Sequence, residues 1–326
     1  MTEFSVLDLI PVREGGTLSE AFADAASTAR AADDAGYKRF WVAEHHAMPG
    51  IAGGATAVAL AHIGHATTRI RIGAGGIMLP NHNPFVIAEQ FGTLDALFPG
   101  RVDLGLGRAP GADGRIAQAL RKDLMRASEY FPQDVVELRA LFTGEPELPI
   151  RASPGYGAQV EMWILGSSLF GASLAAQIGM PYAFASHFAP DQLDAALKLY
   201  RERFRPSQWL DKPHVMAAMT AICADTDEEA RYLASSMDQT FVALRTGNPG
   251  KLKPPVRDYR ENLPDQARAM LEHVRQASAV GSPATVRSDI EAFIARTGAD
   301  EIILAGATYD PQARLRSLAL TMAAMS

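Results

Sequence analysis

Glu44, His45 and His46 are consecutive, at the end of an apolar run RFWVAEH (Arg39–His45). A carboxylate beside imidazoles is acid–base chemistry, since histidine titrates near pH 6.5 without perturbation. Adjacent strand residues face opposite ways, so only one of the two imidazoles points readily into a mouth at the strand end. Position makes His45 a general base or hydrogen-bond donor, or else a histidine that simply caps a strand. The same alternation supplies metal ligands poorly. His62 and His65, three apart on a helical pattern, read as a solvent-facing or interface pair, and no metal site is expected.

Other strand ends carry a different chemistry. RIRIGAGGIML (Arg69–Leu79) holds Gly73, Gly75 and Gly76. Glycines weaken a strand interior, so they point to close approach by a ligand or to a bulge. Gly105-Leu106-Gly107-Arg108-Ala109-Pro110 begins like a dinucleotide fingerprint and fails at its sixth position, which excludes a Rossmann reading. Arg108 at that strand end forks onto a phosphate or makes a structural ion pair. Gly166-Ser167-Ser168 opens a helix, where small residues and hydroxyls make an anion site or a plain cap. A glycine-lined face, an arginine and a serine-rich helix start suit a phosphorylated planar cofactor better than a metal or a nucleophile. Met48, Met78 and Phe188 are apolar, lie near strand ends, and are candidates for a substrate pocket or for rim packing.

The elements that position these residues alternate. Short apolar runs Phe4–Pro11, Arg39–His45, Arg69–Leu79, Arg101–Gly107, Met162–Ser167, Pro181–Ser186, His214–Cys223 and Glu301–Gly306 are each followed by a helical pattern. The longest helical region, Ile116–Phe142, is interrupted near Pro132. Strands alternating with helices form a parallel sheet, and eight such units form a closed (β/α)₈ TIM barrel. Thr246–Pro264, rich in proline, glycine and charge, is an insertion between the seventh and eighth units. Two helices, near Asp265–Ala279 and Pro283–Thr297, follow it. Residues 246–297 thus form an insertion or lid region inside a single domain spanning 1–326.

Composition narrows the class. With 31 basic and 37 acidic residues the net charge is −6, which argues against a nucleic-acid binder. The lone Cys223 excludes an intrachain disulfide and a cysteine zinc site. No basic, apolar leader opens the chain, and no apolar run reaches the ~20 residues of a membrane span. The expectation is a cytoplasmic protein.

FWVAEHHAMPG, IGAGGIMLPNHNPFVIAEQFGTLDALFPGRVDLGLGRAPG and WILGSSLFGASLAAQIGMPYAFASHFAP together resemble the bacterial luciferase-like flavin monooxygenases, from about Phe4 to Met322. The resemblance is to the single-chain oxidoreductase subgroup rather than to the light-emitting subunits. It implies a (β/α)₈ barrel that uses reduced FMN (FMNH₂) and O₂ to oxygenate a small, hydrophobic organic substrate through a flavin C4a-peroxide. It implies that His45 is the active-site histidine and that Gly75-Gly76 forms a non-prolyl cis peptide under the flavin ring. Gly107, Arg108 and Arg126 then belong to the flavin site, and Gly166, Ser167 and Ser168 hold the phosphate. The chain departs from the light-emitting relatives at Gly107, where they carry a reactive cysteine, and at Gly166, where they carry a carboxylate. The resemblance also implies a homodimer and a separate NAD(P)H:flavin reductase, since no reductase module is visible. Two alternatives are an F420-dependent hydride-transfer enzyme and a non-catalytic flavin-binding protein.

Overall fold

The structure, a computed structural model, describes residues 2–108, 114–120, 123–144 and 148–326. Eight parallel strands close into a barrel: β1 (Glu3–Asp8), β2 (Arg39–Val42), β3 (Arg71–Met78), β4 (Val102–Gly107), β5 (Glu161–Gly166), β6 (Tyr182–Phe184), β7 (Val215–Cys223) and β9 (Glu301–Ala305). The ring closes because β6 pairs with β7, β7 with β9, and β9 with β1. The TIM barrel expected from the alternation is the one observed.

Around it run α1 (Leu18–Ala35), α2 (Thr56–His65), α3 (Pro84–Leu97), α7 (Leu169–Ile178), α8 (Leu193–Arg203), α9 (Asp227–Arg245), α11 (Pro283–Thr297) and α12 (Pro311–Met325). Local signals set their ends. Thr17 and Glu20 form a reciprocal capping box at the start of α1, and Gly36 ends it in the left-handed conformation, φ 87°.

Three expectations are corrected. The run Ile116–Phe142 is three helices, α4 (Gly114–Leu120), α5 (Leu124–Glu129) and α6 (Phe131–Thr143), and Pro132 stands in the first turn of the last. Proline is preorganised for that position, so it begins a helix here. The strand expected over Arg39–His45 stops at Val42. One further ladder bond follows, from Ala43 N–H to the Asp8 carbonyl. Glu44 then turns its carboxylate to the backbone N–H of Met78. The helix expected over Asp265–Ala279 is α10 (Asp265–Val274), followed by a 3₁₀ turn and a short strand, β8 (Ser278–Gly281). β8 is a ninth strand outside the ring, paired with the last four residues of β7. Its four residues, SAVG, are too few to show alternation.

The lower end of the barrel is closed by charge. Arg39 reaches Asp103, Glu161 and Glu301 at 2.9, 2.9 and 3.0 Å, and Asp103 also accepts from the Trp41 indole at 2.9 Å. A buried guanidinium survives only when its donors are met in this way. Above it Trp41 and Trp163 pack edge to face, 5.5 Å between ring centres, among Leu7, Met216, Ala218 and Ile303. This plug leaves the C-terminal ends of the strands as the open face, where TIM barrels place their chemistry.

Candidate active site

Gly75 and Gly76 lie mid-strand in β3 and are joined by a cis peptide bond. A side chain at Gly76 would strike the Gly105 carbonyl at 2.6 Å, and one at Gly75 would meet Leu7 and Trp41 at 2.8 and 3.0 Å. Only glycine fits between these neighbours. At the ends of β4 and β5 the situation reverses. A Cβ at Gly107 or at Gly166 would meet nothing closer than 3.7 Å, an ordinary van der Waals contact, so neither glycine is required by crowding.

Arg108 follows Gly107 and is exposed, with its guanidinium carbon 4.0 Å from the centre of the Phe170 ring. Phe170 is the second residue of α7, so this stacking holds Arg108 beside the Gly166-Ser167-Ser168 turn. Ser168 is the N-cap residue of α7, yet its side chain makes no capping bond. The first backbone N–H of the helix, at Leu169, donates instead to Gln192 Oε1 at 3.2 Å; a helix N-terminus favours an anion beside it. The residues present fit an anionic group such as a phosphate. Ala109–Asp113, which continue the Arg108 loop, lie outside the described residues. Arg126 lies in α5, exposed, 5.9 Å from the centre of the Tyr130 ring. A hydrogen bond with Tyr130 raises its pKa. The described contacts of Arg126 are within its own helix and its flanks rather than with the α7 turn.

The Glu-His-His run is divided between two tasks. The Glu44 carboxylate is buried and accepts from His46 Nε2 at 2.6 Å and His82 Nε2 at 2.8 Å, while Met78 N–H donates at 3.1 Å. Burial would raise its pKa, but the bonds from His82, His46 and Met78 outweigh that and hold it below the ordinary range. An ionised carboxylate only accepts, so both imidazoles present N–H groups to it. Glu44, His46 and His82 bring their ligand atoms within 4.8 Å of one another, which is also how a metal-binding set looks. Among the described residues His62 and His65 join no such group. They pack edge-on against Phe22 and Phe98.

His45 turns away from this cluster. Its Nδ1 is buried with no partner among the described residues, and burial lowers its pKa. Near it stands His187, at the end of β6, also with a buried unpartnered Nδ1. Burial and the neighbouring His45 push the His187 pKa down to about 4. Both rings are therefore neutral at neutral pH.

Two hollows flank this pair. An open cleft of about 670 Å³ is lined by His45, His46, Met48, Ile51 and Lys251. A cavity of about 170 Å³ is lined by His187 and by apolar residues including Phe188, Met237, Phe241 and Leu271. Ile51 faces both hollows, so they adjoin. Met48 lines the cleft and Phe188 the cavity, whereas Met78 serves the Glu44 clamp through its backbone. The 246–297 region supplies walls to both. Leu252 exchanges backbone bonds with Val12 and Glu14, and Lys251 Nζ donates to the Gly16 carbonyl. His82 completes the site with no signal in the sequence beyond its place after β3. His187 follows the sixth apolar run, Pro181–Ser186, a strand end where functional residues are expected, though no role was assigned to it from sequence.

Residues 2–301 match the model of the luciferase-like monooxygenase family. A luciferase-like monooxygenase of Escherichia coli K12 is 48% identical over 320 residues, 98% of this chain and 96% of its own. Among solved structures, apo-MsnO8 superposes with a TM-score of 0.89 at 32% identity, covering 100% of this chain and 98% of its own. The oxygenating constituent of 3,6-diketocamphane monooxygenase, solved with FMN, shares the fold at TM-score 0.74 and 21% identity, over 98% and 96% of the two chains. The cis Gly75-Gly76 bond, the Arg108 turn and the histidine-lined mouth sit on this barrel, and the chain belongs to the luciferase-like monooxygenase family.

Proposed function

We propose that this chain is the oxygenase half of a two-component, FMNH₂-dependent monooxygenase acting on a small organic substrate. The observation that carries the reading is the seating of Arg108 on Phe170, beside the Gly166-Ser167-Ser168 turn at the start of α7, together with the tightly packed cis Gly75-Gly76 of β3. A phosphate fits the first, and a flat ring fits the second. Family membership and the FMN-bound structural neighbour support the same choice.

Reduced flavin, when bound, supplies the electrons that activate O₂. The chain's own residues do the rest. Arg108, Ser167 and Ser168 would hold its phosphate. The glycines of β3 and β4 would let the backbone approach its ring. His45, neutral and without a partner at Nδ1, accepts or returns a proton beside the reacting atoms. Glu44 fixes the neighbouring backbone by gripping Met78 and His82. The Leu252 strap and α10 wall the mouth and exclude water, which would otherwise intercept reactive species. A separate NAD(P)H:flavin reductase delivers the reduced cofactor.

The test is binding followed by turnover. Titration with FMN, FMNH₂ and F420 is expected to show reduced FMN held tightest, and oxygen uptake with a reductase is expected to become coupled to product when substrate is present. Tighter binding of F420 would replace this reading with hydride transfer. Flavin binding with uncoupled hydrogen peroxide alone, across a panel of organic substrates, would replace it with flavin storage.

A further inference from the structure

Glu44 is a buried carboxylate without a permanent cation beside it. Asp8, Asp33, Asp103, Asp238 and Glu301 are buried too, and each is ion-paired to an arginine. Among the described residues no arginine or lysine pairs with Glu44. Its ionic partners are His46 and His82, which are cations only when protonated. Burial works against its charge, and hydrogen bonds from His82, His46 and Met78 hold it ionised. A buried charge is stable when it is paired or when it coordinates a metal.

The surrounding geometry is that of a donor set. His46 Nε2 and His82 Nε2 converge on one oxygen, Oε1, from 2.6 and 2.8 Å. The three ligand atoms lie within 4.8 Å of one another. Oε2 is held separately by the Met78 N–H at 3.1 Å, the kind of outer contact that orients a metal-bound carboxylate. Two imidazoles and one carboxylate are the protein ligands of open zinc sites, with a fourth place left for water. Tetrahedral bonds of ~2.0–2.2 Å set ligand atoms about 3.3 Å apart, so the imidazoles withdraw by roughly 0.5–0.7 Å on binding. They have that freedom, since their side chains are 22% and 28% exposed while that of Glu44 is 1% exposed. His46 also lines the open cleft of about 670 Å³, which gives an ion its way in. Mg²⁺ and Ca²⁺ prefer an oxygen shell and suit two imidazoles poorly.

We propose that Glu44, His46 and His82 bind one Zn²⁺ ion, which braces the end of β2 against the turn after β3. The ion replaces the two ring protons that face Oε1, and each imidazole keeps its proton on Nδ1. The site stands apart from the flavin reading, and the ion enters no step of it.

The test uses the flavin-free chain after dialysis against EDTA. Isothermal titration with ZnCl₂ is expected to show one ion per chain with a Kd of about 10 μM or tighter, and MgCl₂ is expected to show no binding. CoCl₂ is expected to give the visible bands of tetrahedral cobalt. His46→Gln and His82→Gln each keep an amide N–H for Glu44 and remove a metal ligand. Each is expected to weaken Zn²⁺ at least about 100-fold and to leave the metal-free urea midpoint nearly unchanged. The double variant His62→Ala, His65→Ala, on α2, is expected to bind Zn²⁺ as the unaltered chain does. Absence of Zn²⁺ binding in the unaltered chain would overturn the proposal and leave a hydrogen-bonded clamp alone. Binding that survives both glutamine variants, or that is lost with the α2 pair, would overturn it too. Should neither glutamine variant fold, the cobalt spectrum of the unaltered chain decides, and octahedral bands alone would count against the site. FMN binding, titrated separately, judges the function reading independently.

Discussion

The Nε2 atom of His82 lies 2.8 Å from Glu44 Oε1, tying the turn after β3 to the end of β2. The same carboxylate takes His46 and the Met78 N–H. Glu44 is thus the single acceptor for three donors around His45. Glu44→Ala leaves all three without it, and stripping partly buried donors of a charged acceptor costs about 1–3 kcal/mol. Urea unfolding of this variant is expected to show a loss of that order. Coupled turnover is expected to fall further than stability alone explains. A variant of unchanged midpoint would show that the clamp is idle.

His45 is expected to be needed for turnover and dispensable for flavin binding. General acid–base groups contribute about 10²–10⁴-fold, so His45→Ala should lose at least about 10² in coupled rate. FMN affinity should stay within about threefold, because Arg108 and the α7 turn hold the phosphate. Burial favours the neutral ring and puts its pKa below 6.5. The rate is therefore expected to hold at neutral pH and to fall on acidification, with the midpoint below 6.5. A pH profile of the coupled rate checks this, and the acid limb should vanish from the residual rate of the variant.

The barrel was legible because its signal is long and repeated. Eight apolar runs followed by helical patterns leave little choice of topology. Short features were not legible. SAVG in β8 has no room for a period, and its pairing is decided by the exposed edge of β7 beyond β9. Within the candidate site, Gly75-Gly76 inside β3 and Arg108 and Ser168 just beyond strand ends were readable from residue type. His187 was readable only as a strand-end position and His82 not at all, since a lone histidine becomes meaningful only when the fold sets it against His45 or Glu44. Asp238 of α9 pairs with Arg260 of the following loop and with Arg275 of the 3₁₀ turn after α10, across 38 positions of sequence, and no local pattern announces the cluster.

Arg108 is expected to discriminate FMN from riboflavin. In the proposed reading its place beside Ser167 and Ser168 assigns it to the phosphate and not to the ring. Arg108→Ala should weaken FMN by about 10- to 100-fold, the range of one charge-assisted contact, and leave riboflavin within about twofold. Fluorescence quenching with the two flavins measures both. Equal losses would move Arg108 from the phosphate to the ring. Phe170→Ala, which removes only the stacking surface, should show a smaller change of the same selectivity.

His187 ties the mouth to stability in a way that pH reveals. Its pKa in the folded chain is about 4, against 6.5 for an unperturbed imidazole, chiefly through burial and then through His45. Below pH 6.5 the unfolded chain therefore binds a proton that the folded chain refuses. Its neutral burial is without this cost above pH 6.5, and stability is lost as pH falls from 6.5 toward 4. Between pH 7 and pH 5 the loss from this one group is about 2 kcal/mol. Denaturant unfolding of the unaltered protein and of His187→Gln, at both values, isolates it. The variant is expected to lose less than the unaltered protein by that amount. Parallel pH dependence in the two would mean that His187 takes up its proton in the folded state, and the apolar cavity beside it would then have to be open to water.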